Sequence, residues 1–599
     1  MKSRVEELKS ISGRQFDLCV IGGGATGSAC ALDAQLRGIR TVLLEAGDFA
    51  GATSSAATKI IHGGVRYLEE AIKGADLQEY HVLVRALHER VRMLENAPHL
   101  TRVLEFLVPS YHWIDVAYLD IGLKIYDWLA GPGRISPSKF LSLEETLKRM
   151  PGLNQKGLVG GVAYADGQFD DARYNVTLVQ SCSVAGGNAL NHARVTDFRR
   201  EANGKLSGVV VKDQFTSQTF TIDAKVIVNA TGPVSDSVRQ MATPTLGKRM
   251  RPSKGAHILL PLDVFPTQDA LLIPKTEDGR VLFAVPWNGR LLVGTTDEEV
   301  SPDAELLVTK EDVEYMLRQL NQYLARPVTP DEIVSGFAGA RPLVGSEGDG
   351  DTKKLARDDV IEVDPASGLI SIMGGKWTTH RAMAEDTISR VQQSLGVSPT
   401  ESLTRNHILY GGEGFTDDYA EKLARQHGLS EATARHLTSK FGTAAEGVVA
   451  LARENTALLK PILSEFPAIQ AEVVYSVRFE MAATIEDVLA RRVGMQLHSW
   501  RDAIDAAPVV GALMAAELHW SSSDAGEAIH RYVEKINHLL DSAGLSRKRS
   551  SASMSSESPQ PVSITNTVSN EVENVRQLGF SELISALESS TDAERVSER

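Results

Sequence analysis

Two periods of apolar spacing succeed one another in the first fifty residues. Phe16-Asp17-Leu18-Cys19-Val20-Ile21 is a short apolar run that ends on Gly22-Gly23-Gly24; a helical pattern covers 26–37, and Thr41-Val42-Leu43-Leu44-Glu45 is a second apolar run. Short apolar runs bounded by glycine read as strands buried on both faces. Gly38 stands where the helix needs a left-handed residue to stop. Strand, glycine turn, helix and strand make a βαβ unit with a parallel sheet.

A polar loop rich in Gly, Ser and Thr follows at 47–59, then His62-Gly63-Gly64-Val65-Arg66-Tyr67-Leu68. Helical spacing returns at 78–96 and 310–324, and strands are predicted at 208–211, 219–222, 226–229, 257–260, 281–285, 291–294 and 369–373. Past 403 glycine thins and the helical period dominates to 542, which predicts a separate helical domain. From 546 the chain turns to Ser, Glu, Asn and Pro, a composition that buries too little apolar surface to offset its ordering entropy. Disorder is expected over 546–567, with a short helix at 572–587.

Composition narrows the class. The chain has 599 residues, 42% hydrophobic and 23% charged, with a formal net charge of −14. That charge excludes a global nucleic-acid footprint, so a phosphate ligand needs a local basic pocket. Cys19, Cys30 and Cys182 have no metal-ligand spacing and read as buried reduced thiols. No HExxH and no clustered histidine appears, so no metal site is expected. Residues 1–15 lack the apolar stretch of a signal peptide and carry Glu6 and Glu7, which argues against a transit peptide. No run is long and apolar enough to span a membrane.

The chemistry begins at Gly22-x-Gly24-x-x-Gly27, where strand meets helix. Gly22 permits the tight turn, Gly24 lets backbone approach a pyrophosphate, and Gly27 lets helix and strand pack closely. The helix N-terminus offers N–H groups and the positive end of its dipole. Glu45 closes the second strand, where a carboxylate accepts ribose hydroxyls and favours NAD or FAD over NADP. Val226-Ile227-Val228-Asn229-Ala230-Thr231-Gly232 brings a further strand to the same edge, and Gly374-Gly375-Lys376-Trp377-Thr378-Thr379 is a late strand-to-helix turn. Such a late turn aims N–H groups at a reduced flavin's negative ring, which a simple NAD enzyme does not need.

These segments, with Thr53-Ser54-Ser55, Lys59 to Glu69, Ala97-Pro98-His99-Leu100, Gly339-Ala340-Arg341-Pro342-Leu343 and Glu480 to Arg492, resemble the FAD-dependent glycerol-3-phosphate dehydrogenase family of the aerobic, quinone-linked type. The resemblance covers 16–532 and implies an α/β fold: a Rossmann-like FAD-binding domain, an antiparallel-sheet substrate domain and an all-helical C-terminal domain. The expected boundaries are 16–72, 150–235 and 350–395 for the first, 73–149 and 236–349 for the second, 403–545 for the third, and a disordered tail at 546–599. It places FAD against Ala25 and Thr26 beside the three glycines and Glu45. It adds Thr53, Ser54, Ser55, Lys59, His62, Gly63 and Gly64 of the loop, then Val195, Ala230, Thr231, Gly232, Gly375, Lys376 and Thr378. Two departures stand out: Ala56-Ala57 occupy positions where the family carries a basic residue, and His380 replaces a common Tyr.

The implied reaction oxidises sn-glycerol-3-phosphate to dihydroxyacetone phosphate, with electrons passed to ubiquinone or menaquinone. Arg66, Arg341 and Lys376 are the candidate phosphate cage, since guanidinium forks match phosphate oxygens. His62 and His257 are both candidates for the base, with Tyr67 to orient base or substrate. Peripheral docking on the inner mitochondrial or bacterial cytoplasmic membrane follows, and a homodimer is left open. Alternatives are a glycerol-3-phosphate oxidase using O2, a flavin amine or amino-acid oxidase, and a non-catalytic flavin scaffold. Arg491-Arg492 reads as a solvated or interdomain pair.

Overall fold

The structure is a computed structural model that describes residues 1–64, 77–113, 122–126, 129, 135–345 and 359–548. The expectations for Arg66, Tyr67 and the tail from 549 lie outside the described residues.

Two sheets divide the α/β part. The first holds β1 (Gln15–Ile21), β2 (Thr41–Leu44), β7 (Asn188–Leu190), β8 (Ala193–Arg200), β9 (Leu206–Asp213), β10 (Thr219–Asn229), β17 (Asp359–Val363) and β18 (Ile370–Gly374). The second holds β3 (Ile60–Ile61), β4 (Thr101–Ser110), β5 (Lys139–Ser142), β6 (Gly160–Phe169), β11 (Ser253–Pro261), β12 (Ala270–Ile273), β13 (Leu282–Trp287), β14 (Arg290–Gly294), β15 (Glu298–Glu299) and β16 (Ser335–Arg341).

In the first sheet β18, β10, β1, β2 and β7 lie side by side and parallel. Successive side chains of a strand point to opposite faces. Leu18, Val20 and Leu43 accordingly join one apolar core, while Cys19, Ile21, Val42 and Leu44 join the core on the other face. Both faces are dry, so these strands read as unbroken apolar runs. The helix between β1 and β2 spans Ala25–Leu36, and Gly38 behind it has φ +77°. All three cysteines are buried thiols, and burial pushes the Cys19 thiol up to about 12.

The structure corrects three readings. The strands expected at 219–222 and 226–229 are one strand, β10, whose first half pairs antiparallel with β9 and whose second half pairs parallel with β1. Asp223 and Lys225 look like a break in sequence, but ion pairs with Arg199 and Asp17 satisfy their charges. The sheet boundary also differs: Ile60–Ile61 and Gly160–Phe169, assigned by sequence to the dinucleotide unit, pair in the second sheet. Ten residues of β6 match ten of β4, and that ladder decides their place. Nor is the second sheet wholly antiparallel, because β12 runs parallel to β4.

The C-terminal region is helical from Tyr419–His427 to Ser522–Ser542. Trp500, Val488 and Val510 share one core with β11, β13 and β14. Towards the first sheet the contact is ionic and buried. Arg492 grips Asp48 with two bonds (Nη1–Oδ2 2.7 Å, Nη2–Oδ1 2.8 Å), and Arg491 Nε adds a third at 2.6 Å. Arg173 makes the same two-pronged contact with Glu480, both bonds at 2.8 Å. Burial alone would raise the Asp48 carboxyl, yet Arg492 and Arg491 hold it below the usual carboxylate range. Arg491-Arg492 is therefore an interdomain pair and not a solvated one.

Removing one partner of a buried pair leaves an uncompensated charge and costs about 3–5 kcal/mol. Arg492→Ala should lower the unfolding free energy of the full chain by that order, read as a lower urea midpoint. Arg531→Ala, whose partner Glu527 is also exposed, should leave it unmoved. Equal midpoints for the two variants would remove Asp48–Arg492 from the structural account.

Candidate functional site

The glycine turn is tight because nothing larger fits. A Cβ on Gly22 would stand 2.6 Å from the Ala230 oxygen, and one on Gly27 would stand 1.9 Å from the Gly22 oxygen. Gly22 has φ +109°, which favours glycine. Ala230 N–H donates to the Ile21 oxygen at 2.9 Å, so the Ala230-Thr231-Gly232 turn is pinned against Gly22. Thr231 Oγ1 donates to Asn229 Oδ1 at 2.7 Å, and Gly232 takes φ +58°.

The helix N-terminus at Ala25 has no side-chain cap of its own. Ser54 Oγ accepts from the Ala25 N–H at 2.9 Å instead, so an oxygen from the polar loop already sits where a phosphate oxygen would. Thr26 follows in the same first turn. Glu45 accepts from the Gly23 N–H at 2.6 Å and the Gly47 N–H at 2.7 Å. Burial raises its carboxyl and those two N–H groups partly offset the rise. Val195 lies just before a bulge in β8 with its side chain in the apolar core.

The loop 53–64 ties the two sheets together. Thr53 Oγ1 donates to the Ala340 oxygen at 2.8 Å, and Trp377 Nε1 donates to the Ser54 oxygen at 3.0 Å. Thr378 Oγ1 reaches the His62 oxygen at 3.3 Å. Gly63 N–H donates to Tyr126 Oη at 2.9 Å, and Gly64 has φ +94°. The loop thus touches the glycine turn, the late Gly375-Lys376-Trp377 segment and β16. Gly375, at φ +80°, packs so closely that a Cβ would sit 2.4 Å from Met383 Sδ.

Lys59 is fully buried, paired with Asp171, and donates to the Ser55 oxygen at 2.7 Å. It braces the loop, a role apart from the cofactor contact that the resemblance implies. Ala57 N–H also binds Asp171, at 2.9 Å. Ala56 faces Gly339, where a Cβ would meet it at 2.7 Å.

On the second sheet Arg341 ends β16. Its Nη2 donates to Thr295 Oγ1 at 2.9 Å and to the Thr296 oxygen at 3.0 Å, and its Nη1 lies 3.4 Å from Asp297. The side chain keeps 24% of its surface exposed, enough to meet a ligand. His257 on β11 contacts Thr58 Oγ1 through Nε2 at 3.0 Å and stacks on Phe337. Burial holds its imidazole well below the ordinary histidine range, and the charges of Arg341 and Lys59 push the same way. His62 is half-buried, its ring 6.5 Å from Phe283.

The structure therefore gathers Gly22, Gly24, Ala25, Glu45, Ser54 and Ala230 at one sheet edge, with Thr53, Thr378, His257 and Arg341 reached through the loop. Sequence reasoning missed Thr58, Asp171, Asn175, Trp377 and Asp297. Asn175 Nδ2 donates to the Gly23 oxygen at 2.8 Å from a helix 152 residues away. Trp377 sits inside the Gly374–Thr379 motif and Thr58 directly before Lys59, and their neighbours were the available signal. The close glycine cradle, the helix end whose own cap residue is a glycine and the acidic residue behind it fit the phosphates and ribose of FAD.

The comparisons agree with that fit. Residues 17–387 match the family model described as FAD dependent oxidoreductase, and 402–525 match the C-terminal domain of alpha-glycerophosphate oxidase. The chain is 38% identical over 540 residues to the mitochondrial glycerol-3-phosphate dehydrogenase of Bos taurus, which covers 88% of this chain and 74% of that protein. The corresponding Arabidopsis thaliana protein is 37% identical over 88% of this chain and 87% of its own length. The crystal structure of the glycerol-3-phosphate dehydrogenase from Bacillus halodurans complexed with FAD matches with a TM-score of 0.72 and 31% identity, over 91% of this chain and 99% of that one. With both parts of the chain and most of its length so matched, it belongs to the FAD-dependent glycerol-3-phosphate dehydrogenase family.

Proposed function

We propose that this chain oxidises sn-glycerol-3-phosphate to dihydroxyacetone phosphate and passes the electrons to a membrane quinone. The observation that carries the reading is the loop 53–64, which joins the glycine turn, the late Trp377 segment, His257 and Arg341. FAD, when bound, supplies the hydride acceptor. The chain's own residues bind, orient and deprotonate. Arg341 has Thr295, Thr296 and Asp297 fixing its fork, so it meets a phosphate preorganised. Lys376 joins it in the proposed cage. His257, neutral and beside that cage, is the proposed base, and His62 is the second candidate.

The mitochondrial relatives support a mitochondrial setting for this chain. Among the described residues no helix is long and apolar enough to cross a membrane. Quinone lies in lipid, so attachment at the membrane surface belongs to the proposal.

Anaerobic glycerol-3-phosphate should bleach the flavin of the purified protein. Bleaching by an amino acid alone would turn the reading to an amine oxidase. Oxygen consumption without added quinone analogue would turn it to the O2-using oxidase. Arg341→Ala should weaken substrate binding by about 2–5 kcal/mol if the fork holds phosphate away from water; an unchanged KM retires the assignment.

The base prediction has two parts. His257→Ala should lose rate by about 10²–10⁴ while His62→Ala loses less. A lowered pKa also means that His257 stays neutral where an exposed histidine gains its proton. Its ring resonances should stay flat from about pH 8 down to about pH 6, across the ordinary histidine midpoint. A midpoint near neutrality in that titration contradicts the burial argument.

A further inference from the structure

His192, just before β8, has φ +49°, in the left-handed region that favours glycine. A larger residue there is strained, and such strain persists only where the surroundings impose it. Two contacts of different kinds meet at this residue. Its main-chain N–H donates to the Gly47 oxygen at 2.6 Å, and its ring Nε2 lies 3.0 Å from Asp487 Oδ2.

The ring contact belongs to the helical domain. Asp487 also accepts from the Ala483 and Thr484 N–H groups and from Arg491 Nη2. Burial would raise its carboxyl, but the His192 ring and Arg491 hold it far below the usual carboxylate range. An ionised carboxylate only accepts, so Nε2 carries the proton and donates. The main-chain contact belongs to the nucleotide cradle. Gly47, whose oxygen receives the His192 N–H, gives its own N–H to Glu45 Oε1 at 2.7 Å, and Glu45 Oε2 accepts from Gly23. Ala193, next in sequence, donates to the Glu45 main-chain oxygen at 2.7 Å. The His192 carbonyl is held by the Gln214 N–H and by Arg4, both outside the helical domain.

We propose that His192 is a positioning residue for the cofactor: its ring ties the Glu45–Gly47 turn to Asp487, so the docked helical domain sets how firmly the adenosine ribose of FAD is held. The residue acts through Glu45. Asp487 fixes the ring, the ring keeps the main chain in its left-handed turn, and that turn presents the N–H that seats Gly47. Gly47 in turn aims the Glu45 carboxylate. Hydride transfer takes place at the isoalloxazine, the opposite end of the cofactor, so retention of FAD and turnover are separable properties of this contact.

The inference rests on Glu45 receiving the ribose hydroxyls, and the test separates the two ideas. Holoenzymes carrying H192A, H192L, H192Q, E45Q, E45Q/H192A and R478A are diluted, and FAD release is followed by the recovery of flavin fluorescence. H192A is expected to release FAD about tenfold faster than the wild type, with kcat per bound flavin and KM nearly unchanged. H192L, nearer to histidine in size, reads the same change should H192A hold too little flavin. H192Q keeps an N–H donor at similar reach and should restore slow release. The double variant should release FAD no faster than E45Q, since both changes act through one carboxylate. Arg478 pairs with Glu517 inside the helical domain, so R478A should lower the urea midpoint and leave release unmoved. Amide hydrogen exchange supplies a readout apart from the flavin: residues 45–49 should exchange faster in H192A and not in R478A. If E45Q retains FAD as the wild type does, the ribose reading fails and this one with it. If E45Q is fast while H192A is not, if H192Q falls as far as H192A, or if R478A is as fast as H192A, the His192 assignment alone is overturned.

Discussion

A carboxylate taken out of water holds the molecule together. Asp48 lies one strand end away from the glycine turn, and its side chain would be costly to bury alone. Arg491 and Arg492 make it tolerable, and both come from the helical domain more than 440 residues later. Phe49 and Ala50, next in sequence, pack on or bond to Gly23. The shape of the nucleotide cradle thus depends on charges supplied by another domain. Arg173 with Glu480 and Lys440 with Asp170 repeat the arrangement along the same seam.

The loop 53–64 is the counterpart on the chemical side. It carries few apolar residues and gains its order from hydrogen bonds to separate segments. Each bond is modest in isolation. Together they place Ser54 at a helix end, Thr58 on His257 and Thr53 beside Arg341. Short polar side chains suit this work because they bond backbone groups without filling the space a cofactor needs.

What could be read in advance follows from the range of the interactions. The glycine turn, its helix and Gly38 are local events, and the pattern of 16–45 displays them completely. The buried strands of the parallel sheet show as apolar runs for the same reason. β6 was misassigned because its place is decided by a ladder with β4, sixty residues earlier, and both strands are buried enough to lack a clear alternation. The two halves of β10 looked separate because a strand that changes neighbours also changes pattern. In the site, Arg341 and His257 stood out by residue type and motif. Thr58 and Asp297 did not, since a threonine or aspartate acquires its role only from what folding sets against it. Lys59 was read as a cofactor contact, and its burial against Asp171 could not be foreseen from a lysine in a polar loop.

The parallel order of the first sheet sets a schedule for the ribosome. β1 is flanked by β2 and β10, and β10 in turn by β18, which ends at Gly374. A nascent chain therefore displays the apolar edge of β1 for some two hundred residues of synthesis before β10 arrives to cover it. Asp48 waits longer still, with no guanidinium to meet until residue 491 has left the tunnel. Strands left unpaired for that long invite association with other chains. Production of this protein should respond to the supply of chaperones that shelter nascent strands more strongly than its finished stability suggests.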